Sequence, residues 1–373
     1  MGEFAHFERR LTEAKDRLAE ADLAGMVLFP SPNLYYLTGF HEEPAERHLL
    51  LVITPDEHAM LAPTMYESQI RSSSHLSGVT TWDDDDDPVA ALGELVDRLD
   101  IAETDGTILV DDHLFATFLL DLKVVLPDAT FGRASEILAE MRITKDDDEL
   151  AALRRAGTIS DAACEAIRRR GSAVIGMTEE ELVEELRDDL AAQGGAGFSF
   201  DPIVAAGPNG AQPHYRHGDR TIEAGEPVVL DFGTVVDRYP GDQTRTVVFD
   251  GEPPSDFEAV HATVEAAFEA SVDAVGPGVR AEEVDRAARS VIEEAGYGDA
   301  FLHRTGHGLG LEVHEPPYIV EGNDRTLEPG MVHSVEPGIY LDGRFGVRLE
   351  DIVVVTDDGC ERLNDSPKTW AVA

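Results

Sequence analysis

Short apolar runs alternate with polar, helix-like stretches over roughly the first 140 residues. The runs read GMVLFPS from residue 25, HLLLVITP from 48, HAMLAP from 58 and GTILVDD from 106. Apolar runs of this length, separated by amphipathic segments, predict a small α/β domain. None of the four runs carries a cluster of chemically competent side chains. The candidate chemistry therefore lies further along the chain.

The pattern changes at residue 142, where RITKDDDELAALRRAGTISDAACEAIRRR predicts a connector that enters a long helix. Thr144 or a nearby aspartate is the expected N-cap. Further helices are predicted around 178–192, 255–275 and 281–295, with Val- and Ile-rich strand pairs between and after them. We therefore predict an α/β (α+β) chain with an N-terminal domain over 1–141 and a second domain over 142–373.

The composition is strongly acidic, yet it is that of a globular chain. The 373 residues include 74 acidic and 30 basic side chains, for a formal net charge of −44, and 42% of residues are hydrophobic. This hydrophobic content suffices for a sizeable core, and the charge makes nucleic acid and anionic membranes poor partners. The acid is spread over the whole length, and we interpret WDDDDDP at 82–88 as a solvated loop. Because molar salt shortens the Debye length to about 3 Å, this distribution predicts a protein of a salt-loving cell.

Cysteine usage and hydropathy indicate a reducing, non-membrane setting. Cys164 and Cys360 lie far apart with no second cysteine beside either, so neither a disulfide framework nor a zinc knuckle is expected. The N-terminal segment is a candidate acidic amphipathic helix that lacks the apolar core of a signal peptide. No apolar run approaches the roughly 20 residues that span a bilayer. We therefore expect a cytoplasmic protein.

A first predicted hairpin, PVVLDFGTVVDRYPGDQTRTVVF, carries two aspartates in an apolar context. Asp231 and Asp242 are centred on a turn between Val236 and Asp237. In an antiparallel hairpin, two residues at equal distances from the turn lie directly opposite each other. The two carboxylates are therefore predicted to face each other, with Cβ atoms roughly 5 Å apart.

A second predicted hairpin, SVEPGIYLDGRFGVRLEDIVVV, repeats the arrangement with Glu336 and Glu350 centred on Gly343 in an Asp-Gly turn signal. Like charges directly opposite each other are destabilising unless a positive charge lies between them. Four carboxylates in two such pairs predict a site for one cation or for two. The alternatives are that each pair lies on a solvated face, or that a bulge shifts the register.

Histidines cluster in a third segment, FLHRTGHGLGLEVHEPP, which holds His303, His307 and His314 among glycines that permit close backbone approach. A phosphate-binding loop is disfavoured, because no strand precedes it, no helix follows it and the Lys-Ser/Thr pair is missing. One histidine with four carboxylates is the expected ligand set for two divalent ions such as Mn, Co, Fe or Zn. Two such ions can share a bridging hydroxide as the nucleophile. The loop GPNGAQPHYRHGDR adds His214 and His217, for which a structural role is the alternative.

The succession DFGTVVDRYPGDQTRT, GHGLGLEVHE, VEPGIY and GVRLED resembles the creatinase/prolidase branch of the pita-bread metallopeptidases, family M24. The resemblance is strong over residues 143–365, and the first 140 residues resemble the N-terminal domain of Xaa-Pro dipeptidases and aminopeptidase P. It implies a C-terminal pita-bread catalytic domain. It also implies metal-dependent hydrolysis of the bond between an N-terminal residue and proline, by a hydroxide that bridges two divalent metals. Mn or Co is the implied metal, with Zn or Fe as alternatives, and a homodimer is the implied assembly.

The resemblance also implies a role for each matching residue. The implied metal ligands are Asp231, Asp242, His307, Glu336 and Glu350, with Asp242 and Glu350 bridging both ions. His214 would help to position the substrate and leaving group, and His314 would contact the substrate near the scissile bond. Arg348 would support the ligands, and Glu336 would also shuttle a proton. The implied partner is a small peptide with proline at its second position, and neither nucleic acid nor a membrane is expected.

Several positions depart from the family pattern or stay open. Pro240-Gly241 stands before Asp242 where the family commonly has a small polar residue, which leaves the local register in question. His217 and His333 are interpreted as bystanders, and His303 either supports the ligands or is structural. Two other functions are alternatives. One is a hydrolase or lyase reaction on a small non-peptide amide or guanidino compound, and the other is non-catalytic binding. The complete set of five ligands disfavours both.

Overall fold

A computed structural model of the protein describes residues 4–372. The chain divides into two compact units, Met1–Met141 and Arg142–Ala373. Within residues 4–372, no helix is both long and apolar enough to cross a membrane.

The first unit is built on one six-stranded mixed sheet. Its helices are α1 (Ala5–Glu20), α2 (Pro32–Thr38), α3 (Glu67–Ser73), α4 (Pro88–Arg98), α5 (Ala116–Val125) and α6 (Ser135–Arg142). Its strands are β1 (Gly25–Leu28), β2 (Leu50–Ile53), β3 (His58–Pro63), β4 (Val79–Trp82), β5 (Thr107–Val110) and β6 (Thr130–Arg133). The sheet order is β4-β3-β2-β1-β5-β6. The four apolar runs of the sequence form β1, β2, β3 and β5, as predicted.

The second unit combines four long helices with several small sheets. Its helices are α7 (Asp147–Arg169), α8 (Glu179–Ala192), α9 (Phe257–Ala274) and α10 (Ala281–Glu294). Its first strands are β7 (Ile203–Ala206), β8 (Val228–Phe232), β9 (Val235–Val236), β10 (Tyr239–Pro240) and β11 (Gln243–Val247). Its later strands are β12 (Gly306–Gly308), β13 (Glu315–Ile319), β14 (Val332–Val335), β15 (Gly338–Leu341), β16 (Phe345–Arg348), β17 (Asp351–Thr356) and β18 (Gly359–Arg362).

Two sheets and two short ladders arrange these strands around the predicted ligands. The sheets have the orders β11-β8-β7 and β13-β12-β14-β17-β18, and β9 pairs with β10 as β15 does with β16. An isolated bridge between Thr244 of β11 and Glu350, just before β17, joins the two sheets. Residues from separate stretches of sequence thus converge where the sheets meet.

The long helix α7 begins where the sequence changes character. Asp146 is its N-cap and accepts a hydrogen bond from the Glu149 amide at 3.1 Å, while the Glu149 carboxylate accepts one from the Asp146 amide at 2.9 Å. This reciprocal capping satisfies two amides that the first helical turn leaves without partners. Of the two N-caps that the sequence allows, the nearby aspartate is the one used, and Thr144 instead bridges to Met331.

Two apolar cores hold the strands of the second unit in place. One lies under α9 and α10, and includes Val264, Phe268 and Val284, which pack with Val347 and Val353 of the strands. The other lies under α7 and α8 and covers β7, β8 and β11. Helices on the outside thus fix the strands that carry the candidate ligands.

Candidate metal centre

The first carboxylate hairpin forms, but its register differs from the predicted one. β8 and β11 pair antiparallel with Asp231 opposite Thr244, and Asp242 lies just before β11. The prediction that Asp231 and Asp242 face each other directly is therefore wrong. Asp242 is offset by two residues along the ladder, so the two carboxylates lie diagonally across it.

The position of the turn explains why the register differs from the predicted one. Val236 pairs with Tyr239, so the turn is centred between Asp237 and Arg238, one residue later than predicted. Both turn residues have positive φ, 48° and 75°, the conformation of the two-residue turn that matches strand twist. Glycine and asparagine are the usual signals for that turn, and Asp-Arg gives a weak one.

Gly233 and Gly241 bring the backbone to Asp242 by an unusually close approach. A Cβ atom on Gly233 would lie 1.8 Å from the Gly241 carbonyl oxygen, and a Cβ on Gly241 would lie 3.1 Å from Ser160 Oγ of α7. The Gly241 amide also donates to the Thr234 carbonyl at 2.6 Å. The Pro240-Gly241 departure thus lets the chain run tightly between β8 and α7 and emerge at Asp242.

The second hairpin has the predicted register. Gly338 pairs with Arg348 in the β15/β16 ladder, and Val335 pairs with Asp351 in the β14/β17 ladder. The two ladders share one register, so the residues between them, Glu336 and Glu350, occupy opposed positions. The amide of Glu350 donates to the Thr244 carbonyl at 3.1 Å, which ties this hairpin to the first one.

His307 is the central residue of β12, between two glycines that permit tight strand packing. A Cβ on Gly306 would lie 2.0 Å from the Ser334 carbonyl oxygen, and one on Gly308 would lie 2.3 Å from the Pro316 carbonyl oxygen. The close approach that the glycines permit is to the neighbouring strands β13 and β14. The imidazole of His307 is 4% exposed, and its Nδ1 lies 3.2 Å from the Gly308 carbonyl oxygen, which leaves Nε2 for the carboxylates.

These elements bring five candidate ligands together. Ligand atoms of Asp242, His307 and Glu350 all lie within 4.8 Å of one another. His307 Nε2 is 3.8 Å from Asp242 Oδ2 and 3.4 Å from Glu336 Oε1. Asp231 Oδ1 and Asp242 Oδ1 are buried without a hydrogen-bond partner. Buried carboxylate oxygens with unused lone pairs, next to an imidazole nitrogen, are the donors that a divalent ion needs, so the residues present fit a metal site.

The pKa shifts within the cluster also favour the binding of divalent cations. Burial, followed by the charge of Glu350, raises the pKa of Asp242 well above its usual value, and burial and Glu336 do the same for the pKa of Glu350. Burial raises the pKa of Glu336 to about 7 and lowers that of His307 to about 3. Buried like charges need a compensating cation to ionise together. A divalent ion supplies that charge and binds the neutral imidazole that burial favours.

Arg348 links the cluster to the wall of the adjoining cavity. Its Nη2 donates to Asp231 Oδ2 at 2.5 Å and its Nε donates to Thr244 Oγ1 at 3.0 Å. Its Nη1 donates to the hydroxyl of Tyr340 at 2.8 Å and to the carbonyl of Pro213 at 3.1 Å. Arg348 therefore orients one oxygen of Asp231 and anchors the backbone next to His214.

The cavity beside the cluster has a volume of about 600 Å³, within the range of small-molecule sites. His214, His303 and His314 line it, together with all five candidate ligands, whereas His217 and His333 are absent from its lining. The His314 ring meets the His307 ring edge to face, with centroids 4.2 Å apart. The histidines that the sequence marks as substrate contacts thus adjoin the candidate ligands.

The three histidines left open by the sequence have polar contacts of their own. His303 Nε2 lies 2.8 Å from the Tyr340 hydroxyl and its Nδ1 lies 2.8 Å from the Arg304 carbonyl oxygen. His217 Nδ1 lies 2.9 Å from the Pro202 carbonyl oxygen, and His333 is fully buried with Nδ1 near the Ser334 carbonyl oxygen. His303 therefore connects, through Tyr340, with the Arg348 network.

Sequence reasoning missed a buried ion-pair cluster that holds the segment of His314. The carboxylate of Glu315, the next residue, receives Lys145 Nζ at 2.8 Å and Arg142 Nη2 at 2.5 Å, and all three side chains are nearly or fully buried. Both cations lie in the connector that enters α7, more than 160 residues earlier in the chain. The available signal was the pair of cations in MRITK, in a chain where cations are scarce.

Comparisons with known proteins agree with this geometry. Residues 151–357 match the Metallopeptidase family M24, and residues 10–144 match the Creatinase/Prolidase N-terminal domain. The chain is 38% identical over 371 residues to the "Probable dipeptidase PepE" of Mycobacterium tuberculosis, covering 97% of this chain and 95% of that one. It is 36% identical over 344 residues to the "Xaa-Pro dipeptidase" of Lactobacillus delbrueckii, covering 90% and 91%. The solved structure of a prolidase from Thermococcus sibiricus matches it with a TM-score of 0.92 at 35% identity, covering 98% of each chain.

The chain therefore belongs to metallopeptidase family M24, with a creatinase/prolidase N-terminal domain. Membership confirms the resemblance and the predicted fold class, a small N-terminal α/β domain followed by a pita-bread catalytic domain. It also confirms that the chain is a hydrolase of a family that uses divalent metals.

Proposed function

We propose that this protein hydrolyses the peptide bond between an N-terminal residue and proline in small peptides. The observation that carries the proposal is the buried cluster of four carboxylates and one histidine on the wall of a cavity sized for a small ligand. The proposal is supported by relatives that are named dipeptidase, Xaa-Pro dipeptidase and prolidase.

Two divalent ions would be held by the five candidate ligands, Asp231, Asp242, His307, Glu336 and Glu350. Bound there, they would supply Lewis-acid polarisation of the scissile carbonyl and a nucleophilic water at neutral pH. Asp242, His307 and Glu350, whose ligand atoms lie within 4.8 Å of one another, would form the centre of this set. Thr244 donates to Glu350 Oε2 at 2.6 Å, and Arg348 donates to Asp231, so hydrogen bonds fix one oxygen of each of these carboxylates. Such supporting contacts orient ligands and tune metal affinity.

The remaining polar residues of the cavity act on the substrate. We assign His314 to contact near the scissile bond, because its ring adjoins His307. His214 follows the backbone that Arg348 anchors and is assigned to positioning of the substrate and the leaving prolyl nitrogen. Glu336 lines the cavity, with its Oε1 3.4 Å from His307 Nε2, and is assigned to pass a proton to that nitrogen. The prolyl nitrogen leaves as a secondary amine, so it must gain a proton as the C–N bond breaks.

The cavity also offers apolar surface for the pyrrolidine ring. Phe200, Ile203 and Val313 line it alongside the polar residues. A rigid ring without an amide hydrogen suits a shaped apolar wall, since it has no backbone donor to satisfy there. These three residues are the proposed specificity surface for proline.

The proposal also includes the identity of the metal ions, the cellular location and the oligomeric state. Mn or Co is the proposed pair of ions, and the mixed carboxylate and imidazole donors suit both. The net charge of −44 supports work in a salty cytoplasm, and a homodimer is the proposed assembly. Residues 142–373 are assigned to catalysis and residues 1–141 to the accompanying N-terminal domain.

The test is an assay of Mn-loaded and Co-loaded protein in high salt on Leu-Pro and on Leu-Pro-Ala. Release of leucine from either peptide supports the proposal, and release from the dipeptide alone defines a dipeptidase. Asp242→Asn should abolish the release, while the matched control Asp237→Asn should retain it. Asp237 is an exposed carboxylate at the turn of the same hairpin, paired with Arg155. If the protein binds metal stoichiometrically but releases leucine from neither peptide, the proposal is refuted.

A further inference from the structure

A half-buried arginine on the cavity wall makes no ion pair with the residues that the structure describes. Arg304 lines the cavity, and among residues 4–372 its guanidinium makes neither a hydrogen bond nor an ion pair. Its contact is with the Tyr318 ring, whose centroid lies 4.4 Å from the guanidinium carbon. Stacking occupies the face of the guanidinium and leaves its N–H edge available to a ligand.

This lack of a partner is unusual in so acidic a chain. Acidic side chains outnumber basic ones by 74 to 30, so an arginine readily finds a carboxylate. Arg170, which is 26% exposed, pairs with Glu185 and Asp189, and Arg289, also 26% exposed, pairs with Asp285. A partly desolvated cation without a partner is unfavourable in the free protein. A bound anion would remove that penalty.

The candidate ligands do not provide this anion. With two divalent ions bound, the four carboxylates of the metal centre are balanced, and Asp231 is also paired with Arg348. Arg304 is then a positive charge facing a cavity whose acidic groups are already compensated. This charge balance rests on the function proposed above.

Arg304 also lies close to the reacting end of the cavity. It precedes β12, which carries His307, by two residues, and it directly follows His303. Arg304, His307 and His314 line the same cavity, and the His314 ring contacts that of His307. An anion bound there would lie near the scissile bond.

We propose that Arg304 binds a carboxylate of the substrate. Two carboxylates can lie this close to the scissile bond: the free C-terminal carboxylate of a dipeptide, or the side chain of an acidic first residue. The first source would make the enzyme select dipeptides over longer peptides, because a third residue turns that carboxylate into a neutral amide. The same cation would serve either source, and the choice of substrates separates them.

The test measures kcat and KM for Arg304→Gln on Leu-Pro, Leu-Pro-NH2 and Asp-Pro-NH2. Leu-Pro-NH2 keeps the scissile bond and removes the C-terminal charge, while Asp-Pro-NH2 adds a side-chain charge. Arg216→Gln is the matched control, because Arg216 also lines the cavity but is exposed and has no ring stacked on it among the described residues. Metal content and circular dichroism confirm that each variant is folded and loaded.

If Arg304 binds the C-terminal carboxylate, Arg304→Gln should lower kcat/KM for Leu-Pro about 10- to 100-fold, mainly through KM. Leu-Pro-NH2 should change less than about 3-fold, and Arg304→Lys should recover part of the loss, since it restores the charge without the planar fork. Selective loss on Asp-Pro-NH2 relative to Leu-Pro-NH2 would support the side-chain source instead.

An equal loss on all three substrates would overturn the inference, since Arg304 would then act on the metal centre. No loss on any substrate, or a selective loss in Arg216→Gln alone, would overturn it as well. These outcomes leave the proposed function standing, because the wild-type enzyme still cleaves the substrates. A wild-type enzyme that cleaves none of them would refute the proposed function and this inference together.

Discussion

Arg245 is fully buried and holds together β11 and β17, the strands that directly follow Asp242 and Glu350. Its Nη1 donates to the Glu350 carbonyl at 2.6 Å and to the Thr244 carbonyl at 2.9 Å, and its Nη2 donates to Asp351 Oδ1 at 2.7 Å. We predict that Arg245→Leu lowers the free energy of unfolding of the second unit and weakens metal binding. The leucine leaves the fully buried Asp351 carboxylate without this partner and removes the Arg245 hydrogen bonds to the carbonyls of Thr244, Glu350 and Ser366.

The magnitude follows from burial. Removing one partner of a buried ion pair costs about 3–5 kcal/mol. Lys368 Nζ remains 2.6 Å from the other oxygen of Asp351, which favours the lower end, about 3 kcal/mol. The matched control is Arg154→Leu, because Arg154 pairs with Glu361 at 2.6 Å while the two side chains are 44% and 40% exposed. An exposed pair of that geometry contributes less than about 1 kcal/mol.

The assay is urea unfolding followed by tryptophan fluorescence. The chain has two tryptophans, and in a Trp82→Phe background Trp370 reports on the second unit, where its ring lies 5.7 Å from that of Phe257. With a urea dependence of about 1–3 kcal/mol per molar, the midpoint should fall by roughly 1 M or more for Arg245→Leu. The control should shift by well under half of that. Equal shifts of the two variants would refute the reasoning from burial.

Three further predictions concern stability. Burial lowers the pKa of His261 in the folded state to about 4, from an unfolded value of 6.5. Between these two pH values the unfolded state binds more protons than the folded state. The free energy of unfolding should therefore fall as the pH drops from about 6.5 to about 4. His261→Gln should flatten this fall by up to about 3 kcal/mol in urea titrations at several pH values, and an unchanged slope would contradict it. Gly233→Ala should lower the urea midpoint or abolish soluble expression, since its Cβ would meet the Gly241 carbonyl oxygen, whereas a wild-type midpoint would disprove the close approach. Raising KCl from about 0.1 M to about 2 M should raise the melting temperature by screening the charge of −44, and a fall would argue against the salt-loving interpretation.

Much of the fold and of the candidate site follows from local sequence signals. The apolar runs of the first unit and the four long helices of the second form close to where the sequence places them. Glu336 and Glu350 are opposed as predicted because the Asp-Gly turn at Gly343 sets the register of their hairpin. A strong turn signal thus fixes side chains that lie several residues away from it.

The first hairpin shows where such reasoning fails. Asp237 and Arg238 adopt positive φ although neither is a glycine, so the sequence gives no clear sign of where the turn is centred. A shift of the turn centre by one residue moves the partner of Asp231 from Asp242 to Thr244. The metal cluster forms because the Gly233–Gly241 contact and the Thr244–Glu350 bridge bring Asp242 into place.

Contacts between distant segments were equally hidden from the sequence. The Lys145 and Glu315 pair joins residues 170 apart, and the packing of Arg304 on Tyr318 depends on the irregular register in which β12 pairs with β13. Neither shows a local pattern, because each depends on the tertiary fold. The chemistry-bearing motifs could be predicted, whereas the residues that orient them had to be seen in the structure.

The central claim is that Asp231, Asp242, His307, Glu336 and Glu350 together hold two divalent ions. The direct measurement is anomalous scattering from a crystal of the Mn-loaded protein. The account predicts two peaks about 3.5–4 Å apart, each bonded to side chains of this set. A single peak, or peaks away from these residues, would contradict it.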